Sequence, residues 1–482
     1  MTPTFQFIAS VWNLLWSTKH RARQVGIASL TIIISLWIGF RYAQEVFISL
    51  LPMMGWVYLI ILCSLTLYPS GQGALVRVSR NLTWLAMLLL LGVAVFLRSF
   101  HLENLPSGLH PDEAGYIEFA LLHIPNTDTT WLYINPFRTG LDSQPILYNY
   151  ILWFNTQVFG ASISAVKVSS VLAGTLSIAG VFLMMKELTG NRRLAWLTSI
   201  LMVVYHYHVH WSRVALSNIW TSFFLCFTIG LFLLGWRKRH SGGAVLAGIC
   251  LGLSAYVYSG GYFVVILLIF LFLQQWQNTT ERLGLTIYSA KMVSMAAVIA
   301  APLAMFALRV PEFFFDRAKV IRGWTPQAIL AYSQGEEMSY LDYAIHQFKY
   351  SFGAYNFFPE VTGFYKPEIP FLVGFASILF MVGIALAFHK KHFLALVWIV
   401  LVTTLGGILL DGTPGSTHFI GAIPAICWLV ALPIDKLFES GNHRLAYVIL
   451  AVVILTDIYF YFLIYSGNPS PDLSLPFPIV VR

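Results

Sequence analysis

Apolar runs long enough to cross a lipid bilayer fill most of this chain. A membrane-spanning helix needs about 20 mainly apolar residues. Only 10% of the residues are charged and 58% are hydrophobic, whereas soluble domains carry about a quarter charged residues. The sequence therefore predicts an all-α polytopic integral membrane protein with about 13 transmembrane helices. The predicted spans are 25–41, 46–68, 83–98, 163–186, 194–210, 218–236, 243–259, 260–276, 287–307, 368–388, 392–410, 418–435 and 445–464.

Lysine and arginine occur on every second connection between these spans, as cytoplasmic loops require. The connections contain Lys19, Arg21 and Arg23, Arg77 and Arg80, Lys186, Arg192 and Arg193, Arg237, Lys238 and Arg239, Arg282 and Lys291, Lys390 and Lys391, and Lys436 and Arg444. This alternation predicts a multi-pass protein of the plasma (inner) membrane with a cytoplasmic N-terminus and an extracytoplasmic C-terminus. The net charge of +8 follows from these clusters and does not indicate nucleic acid as a partner. The cysteines lie in apolar runs, which favours small buried side chains over disulfides or a metal site; they are Cys63, Cys226, Cys250 and Cys427.

Two long extracytoplasmic loops, 99–162 and 308–367, interrupt the pattern of short connections. Long connections in a compact protein are usually functional or disordered, and these are rich in aromatic residues. Residues 145–159 predict an amphipathic helix along the outer interface. The second loop offers either a sugar-binding surface or a plain lid, through Trp324, Tyr332, Glu336, Glu337, Tyr340 and Tyr343. We divide the chain into a two-helix extension (1–82), a catalytic module (83–307) and a variable module (308–482).

Two adjacent carboxylates, Asp112 and Glu113, lie just after the third span, within a loop shaped by Pro and Gly. Acids held beside the membrane on such a loop indicate chemistry on a lipid-linked substrate, where transfer of a phosphate-linked group needs a base for the acceptor proton and stabilisation of the departing phosphate. Asp112 is the predicted base. Glu113 is predicted to orient the acceptor or to help hold a divalent cation. The alternatives are a solvated acid pair, or Asp112 as the N-cap of a short helix over 113–122.

Three arginines near the outer face are candidates for binding the donor phosphate. Arg213 is the first candidate, because it ends an outer segment and a guanidinium binds phosphate oxygens in bidentate fashion. Arg98 and Arg138 share the environment of the first loop. The alternative for all three is an interfacial anchor, a common role of arginine at span ends.

His206, His208 and His210 resemble a metal cluster, but alternate residues of a helix do not share a face, so at most His206 and His210 align. Histidines at the interface or lining a pocket are the favoured interpretation. Asp457 lies within the last span, where a charge is costly and suggests function. A hydrogen bond to a neighbouring tyrosine is the alternative.

The motifs in chain order resemble the GT-C glycosyltransferases, especially protein O-mannosyltransferases and the bacterial transferases that add aminoarabinose to lipid A. They are Pro106-Ser-Gly-Leu-His-Pro-Asp-Glu-Ala-Gly-Tyr116, Gln144-Pro-Ile-Leu-Tyr148, Lys186-Glu-Leu-Thr-Gly-Asn-Arg-Arg193, Trp211-Ser-Arg213 and Leu251-Gly-Leu-Ser-Ala-Tyr-Val-Tyr258. The resemblance covers roughly 83–305 well. It implies a multi-span inverting transferase with its active site at the outer membrane face and Asp112 as the catalytic residue. It places His110, Tyr116, Gln144, Tyr148, Tyr258, Tyr262 and His418 in the substrate pocket.

The sequence departs from these relatives at three places. Gln144 stands where the aminoarabinose transferases often have a basic residue, and His418 stands where relatives commonly have arginine. After Arg213 some relatives have an acid, whereas this sequence has Ser217 and Asn218. Related enzymes also differ in metal use, so Mg²⁺ or Mn²⁺ at Asp112 and Glu113 stays open.

The expected function is transfer of a sugar from a polyprenyl-phosphate-linked donor to a lipid, protein or envelope-glycan acceptor. A lipid-linked sugar flippase is one alternative, but its ionisable residues should lie near mid-bilayer, where only Asp457 qualifies. A ligase or polymerase using diphosphate-linked donors is the other; it would depend more on Arg and His in a late outer loop than on an early acid pair.

Overall fold

The computed structural model describes a helical membrane protein in which two groups of helices enclose a cavity. The described residues are 19–45, 50–68, 75, 82–106, 110–118, 135–139, 144–160, 162–315, 323–326, 329, 339–361, 364–365 and 368–465. This part of the chain contains no strand, and its only bridge is an isolated antiparallel pair, Thr139 and Pro145. Several residues used for orientation or proposed for sugar contact lie outside the described residues: Arg77, Arg80, Tyr332, Glu336 and Glu337.

Thirteen long helices and helix pieces follow the apolar runs. They are α1 (Lys19–Tyr42), α2 (Leu50–Leu67), α3 (Leu82–Ser99), α6 (Ile163–Thr189), α7 (Arg192–Val204), α9 (Trp220–Arg237), α10 (Ser241–Ser254), α11 (Val264–Asn278), α12 (Arg282–Arg309), α15 (Phe375–His389), α16 (Phe393–Thr403), α18 (Ile423–Glu439) and α19 (His443–Tyr459). The remaining helices are α4 (Pro111–Glu118), α5 (Leu147–Phe159), α8 (His206–Trp211), α13 (Pro311–Phe314), α14 (Tyr340–Gly353) and α17 (Ser416–Phe419).

Every predicted span overlaps at least one of these helices, and this helical content confirms the all-α membrane fold. Seven described helices are long and apolar enough to cross a membrane, and five shorter ones are also apolar. The number of actual crossings therefore stays a prediction, as do the module boundaries. The amphipathic helix expected at 145–159 is α5, and it leaves Phe154, Val158 and Phe159 exposed.

The predicted single span 194–210 is wrong, because the helix breaks at Tyr205. That residue has φ −53° and ψ 112°, outside the helical region, and α8 restarts at His206. The Asp457 carboxylate of α19 accepts the His206 N–H at 3.0 Å and so satisfies the first turn of α8. Asp457, for which the sequence suggested a functional charge within a span, therefore stabilises this break between α7 and α8.

The helices pack in a continuous order of neighbours: α2 on α1, α1 on α12, then α10, α9, α6, α7, α18 and α15. The N-terminal pair shares a small core with α10 and α12, and the larger core surrounds α6 to α9 and α18. A 3₁₀ turn, Ser259–Phe263, joins α10 to α11. A Cβ on Gly260 would lie 2.4 Å from the Tyr258 ring, so a larger residue there would displace that ring.

Candidate active site

A cavity of about 400 Å³ lies between the early and the late helices. Its early wall consists of Asp112, Tyr116, Gln144, Leu216, Asn218, Tyr258, Ser259, Gly260, Tyr262 and Phe263. Its late wall consists of Phe314, Phe315, Phe364, Val402, Leu405, Gly406, Leu410, Thr417 and His418. Six residues predicted for the catalytic site or pocket line it together: Asp112, Tyr116, Gln144, Tyr258, Tyr262 and His418.

The acid pair lies in the first turn of α4, and His110 precedes that turn. Nδ1 of His110 accepts the Asp112 N–H at 3.1 Å, and the Glu113 carboxylate accepts the His110 N–H at 3.1 Å. This is the reciprocal arrangement of a helix capping box, with Pro111 at the position where proline needs no hydrogen-bond partner. His110, rather than Asp112, therefore caps the helix, which runs over Pro111–Glu118 instead of 113–122.

The Glu113 side chain points into the protein. It is 1% exposed, and its second carboxylate oxygen accepts the Ala215 N–H at 2.6 Å. Both oxygens are thus engaged with backbone donors, and Glu113 does not line the cavity. The Glu113 carboxylate therefore joins α4 to the segment that follows α8.

Asp112 has the opposite environment. Its side chain is 33% exposed and lines the cavity, with one carboxylate oxygen 4.0 Å from His110 Nδ1. The His110 ring stacks on Phe364 of the late wall at 4.0 Å between centroids. Burial lowers the pKa of His110, and the nearby Glu113 carboxylate partly opposes this effect. The imidazole is therefore neutral at physiological pH, as the capping bond to Nδ1 requires.

Gln144 fixes the early wall to the turn between α10 and α11. Its side-chain oxygen accepts both the Ser259 N–H at 3.2 Å and the Ser259 hydroxyl at 2.9 Å. A backbone N–H can only donate, so the oxygen must face Ser259 and the amide NH₂ is left for the cavity that Gln144 lines. Gln144 is 8% exposed, so this donor is held in one orientation.

Tyr148, predicted for the pocket, lies behind it. It is 1% exposed and lies within hydrogen-bond distance of the Ser170 hydroxyl, at 3.3 Å. Its ring packs edge-on against Tyr116, with centroids 6.2 Å apart. Tyr148 thus supports a cavity-lining ring instead of meeting a ligand.

The late wall depends on close backbone packing. The π-helical turn Thr404–Ile408 follows α16, and a side chain on Gly406 would lie 2.5 Å from the His418 carbonyl. Such turns are frequent at functional sites. Without a side chain at Gly406, the His418 backbone can approach the turn, and His418 is thereby placed on the cavity.

Glu360 is a buried residue that the sequence reasoning missed. It is 4% exposed, and its carboxylate accepts the N–H of Tyr365 at 3.3 Å and that of Ser416 at 3.1 Å. It therefore ties the second outer loop to the start of α17. A single acid among apolar residues, in Phe357-Phe-Pro-Glu-Val361, was the available signal.

The three candidate arginines lie away from the cavity lining. Arg213 is fully buried and donates to the carbonyls of Leu97, Phe100 and Leu105. Arg98 is also fully buried; its partners are the carbonyls of Ala94, Met202 and Val203, the Ser212 hydroxyl and His208 Nδ1. Arg138 is partly buried and donates to the Thr139 carbonyl at 3.4 Å.

The three histidines of α8 are buried structural residues and do not line the cavity. His206 Nδ1 lies 2.7 Å from the Tyr365 hydroxyl, and His210 Nε2 lies 3.1 Å from the Phe364 carbonyl. His208 lies between Arg98 and Ser177. The described part of the chain contains no group of three or more His, Cys, Asp or Glu residues placed to hold a metal ion. The favoured placement of these histidines at an interface or in a pocket is wrong, because α8 passes through the core.

Residues 143–306 match the family of dolichyl-phosphate-mannose-protein mannosyltransferases. The matched segment includes Gln144, Arg213 and Tyr258 but begins after Asp112. This match confirms the predicted resemblance to GT-C glycosyltransferases over that segment. No curated protein matches the chain.

The fold is similar to that of a solved archaeal membrane protein. The archaeal oligosaccharyltransferase AglB from Archaeoglobus fulgidus, solved with an inhibitory peptide and a dolichol-phosphate, has a TM-score of 0.51 and 16% identity. The match covers 80% of this chain and 55% of that protein, so the present chain spans about half of its relative. ArnT from Cupriavidus metallidurans, bound to undecaprenyl phosphate, gives a TM-score of 0.46 and 14% identity over 78% of this chain and 64% of that one. Residues 143–306 therefore resemble the GT-C glycosyltransferases, and the helical fold of the chain is similar to that of AglB.

Proposed function

We propose that this protein is an inverting glycosyltransferase that moves a sugar from a polyprenyl-phosphate donor to an acceptor at the extracytoplasmic face. The observation that carries this proposal is the position of Asp112. Among the described residues that line the cavity, it is the one carboxylate, and it is partly exposed there. A base in that position can take the proton of an acceptor hydroxyl as the sugar leaves its carrier.

The lining of the cavity supports a donor with a polar head and an apolar tail. Polar groups come from Gln144, Asn218, Ser259, Thr417 and His418, together with three tyrosines. Apolar side chains of the late wall adjoin them: Phe314, Phe315, Val402, Leu405 and Leu410. Pockets that orient a ligand by a few polar groups within an apolar lining are common for such substrates.

The departing phosphate needs donors or a cation on the side of the sugar away from the base. Because the guanidinium groups of Arg98 and Arg213 lie outside the cavity lining, we assign this role to His418 and the Gln144 amide. His418 is the lining side chain, in the described part of the chain, that can carry a positive charge. The Gln144 NH₂ adds a fixed neutral donor.

The outer-face location rests on charge distribution. Lysine and arginine clusters mark the opposite connections as cytoplasmic, which places residues 99–162 and Asp112 outside. The donor would enter sideways from the outer leaflet, and the acceptor from the aqueous side. The acceptor class and the sugar stay undefined in this proposal.

Turnover by the purified protein in lipid vesicles tests the proposal. A labelled polyprenyl-phosphate sugar and a mixture of envelope acceptors should give free polyprenyl phosphate and a glycosylated product. The Asp112→Asn variant in the same vesicles should give neither. Release of a polyprenyl diphosphate from a diphosphate donor would indicate a ligase, and translocation of the donor without turnover would indicate a flippase.

A further inference from the structure

We propose that Arg213 and the Ala215 N–H form a brace that positions Asp112, and that Arg213 is a positioning residue, not a ligand of the donor phosphate. The brace is defined as residues 213–215, the segment that follows α8. This inference rests on the proposed function, because it assigns Asp112 the catalytic role. It changes the role of the arginine that the sequence favoured for phosphate binding.

The hydrogen bonds of Arg213 account for each nitrogen of its guanidinium. Nη1 donates to the Leu97 carbonyl at 2.7 Å, Nη2 to the Phe100 carbonyl at 2.5 Å and Nε to the Leu105 carbonyl at 3.2 Å. The last carbonyls of a helix have no partner within it; Leu97 lies in the last turn of α3 and Phe100 directly follows the helix. Arg213 therefore fixes the point at which the first outer loop leaves the membrane.

The faces and edges of this guanidinium leave no opening for a phosphate. Arg213 is fully buried, and its central carbon lies 5.6 Å from the centroid of the Phe462 ring and 6.0 Å from that of Tyr461. Bidentate phosphate binding needs two parallel N–H groups on one accessible edge. Here each guanidinium nitrogen already donates to a backbone carbonyl, and the buried group does not line the cavity.

The second contact of the brace reaches α4 itself. Two residues after Arg213, the Ala215 N–H donates to the buried Glu113 carboxylate at 2.6 Å. Glu113 also accepts the His110 N–H, so the contact fixes the first turn that carries Asp112. Leu216, next in the chain, lines the cavity beside Asp112.

A second cation, Lys167 of α6, supports the same part of the first outer loop. The side chain of Lys167 is buried, and its Nζ donates to the Leu102 carbonyl at 3.4 Å. The segment that follows α3 is therefore held at Phe100, Leu102 and Leu105, and α4 is held through Glu113. A displacement of about 1 Å at a catalytic group can cost about 100-fold in rate, so this support bears directly on turnover.

Substitution of Arg213 by Lys separates positioning from phosphate binding. One ammonium cannot reach three carbonyls, so we expect kcat to fall about 10-fold to 100-fold. The KM for the donor should stay within about twofold, because donor binding and catalysis report different interactions. Binding of free undecaprenyl phosphate by the purified variant should be unchanged within about the same factor.

Arg309→Lys is the matched control. Arg309 also donates to a backbone carbonyl near a helix end, that of Phe40, but it joins α12 to α1 and does not line the cavity. Its substitution should leave both kcat and KM unchanged. Glu113→Gln is the second variant for the case in which Arg213→Lys does not fold. One amide oxygen cannot accept from both His110 and Ala215 in place of two carboxylate oxygens, so the same loss of kcat at constant KM is expected.

The opposite result would overturn the brace. A donor KM raised about 10-fold or more with kcat retained, together with weakened binding of undecaprenyl phosphate, would make Arg213 a phosphate ligand. An unchanged kcat in Arg213→Lys would equally exclude the positioning role of Arg213. If Arg213→Lys does not fold, an unchanged kcat in Glu113→Gln would exclude that the brace positions Asp112. Failure of the proposed function is separate: it would appear as full turnover by Asp112→Asn, whatever Arg213 does.

Discussion

The two walls of the cavity are built in different ways. The early wall is fixed by side chains that bond to backbone groups far away in the sequence: Glu113 to Ala215, and Gln144 to Ser259. The late wall is fixed by glycine, since Gly406 lets the π-turn approach the His418 carbonyl. Side-chain bonds orient individual polar groups, whereas close backbone packing sets the shape of the wall. The comparison suggests that the early wall holds the proposed base in a fixed orientation, whereas the late wall sets the shape of the cavity and places His418 on it.

Asp112→Asn should give the largest effect, because it removes the base from the early wall. General-base catalysis typically contributes about 10²-fold to 10⁴-fold, so kcat should fall at least to that extent. Asp411→Asn is a control: Asp411 is the neighbour of a late-wall residue, Leu410, but does not line the cavity. Purified variants should be compared for turnover of the labelled donor and for thermal unfolding. Near-normal turnover by Asp112→Asn at a saturating donor concentration would show that Asp112, and with it the early wall, does not supply the base.

Gly406→Ala tests the late wall and should affect stability and fit more than chemistry. The added carbon would lie 2.5 Å from the His418 carbonyl, closer than real contacts allow. Overpacking of this kind costs about 1–3 kcal/mol, and the displaced wall should raise the KM for the donor. Gly92→Ala is the control, because nothing lies within 4 Å of the position and an alanine should be neutral or mildly stabilising. Unchanged KM and thermal stability in Gly406→Ala would show that the wall tolerates the shift.

His110 joins the two walls and makes a pH dependence expected. Its pKa is lowered by burial, so the folded protein favours the neutral ring. The stability contributed by this ring is complete above the ordinary histidine pKa of about 6.5 and is lost as the pH falls through the lower, folded value. Protonation also removes the acceptor that Nδ1 offers to the Asp112 N–H.

The His110→Asn variant sharpens that test, since asparagine can cap a helix but does not titrate in this range. Activity and thermal stability should be measured from about pH 7.5 down to about pH 5. The wild type should lose both below about pH 6.5 more steeply than the variant. If the two proteins lose activity and thermal stability identically as the pH falls, the pH dependence arises from a group other than His110.

Ser259→Ala should give the smallest effect, because the Ser259 N–H still holds Gln144. Loss of one neutral hydrogen bond costs about 0.5–1.5 kcal/mol, so we expect a rise of about twofold to 10-fold in the donor KM. Ser254→Ala is the control: that hydroxyl bonds only within its own helix, to the Leu251 carbonyl at 2.7 Å. If both substitutions change the donor KM equally, the orientation of the Gln144 amide does not matter for donor binding.

Much of the fold was predictable from hydropathy, because each span needs only its own sequence to be apolar and helical. The break at Tyr205 was not predictable in this way, since it depends on Asp457, more than 250 residues later. The pocket was predicted in part. Tyr116, Gln144, Tyr258, Tyr262 and His418 line it, while Tyr148 supports it from behind.

The sequence by itself determined that this chain is helical and membrane-embedded, and that an acid pair follows the third span. Length, apolarity and local order carry that information, and they need no knowledge of distant contacts. Only the tertiary structure decided that the two adjacent acids differ: Asp112 faces the cavity and Glu113 is bound by the Ala215 N–H. The physical reason is that successive residues of a helix point in different directions. Which direction meets the cavity depends on the segments packed around it.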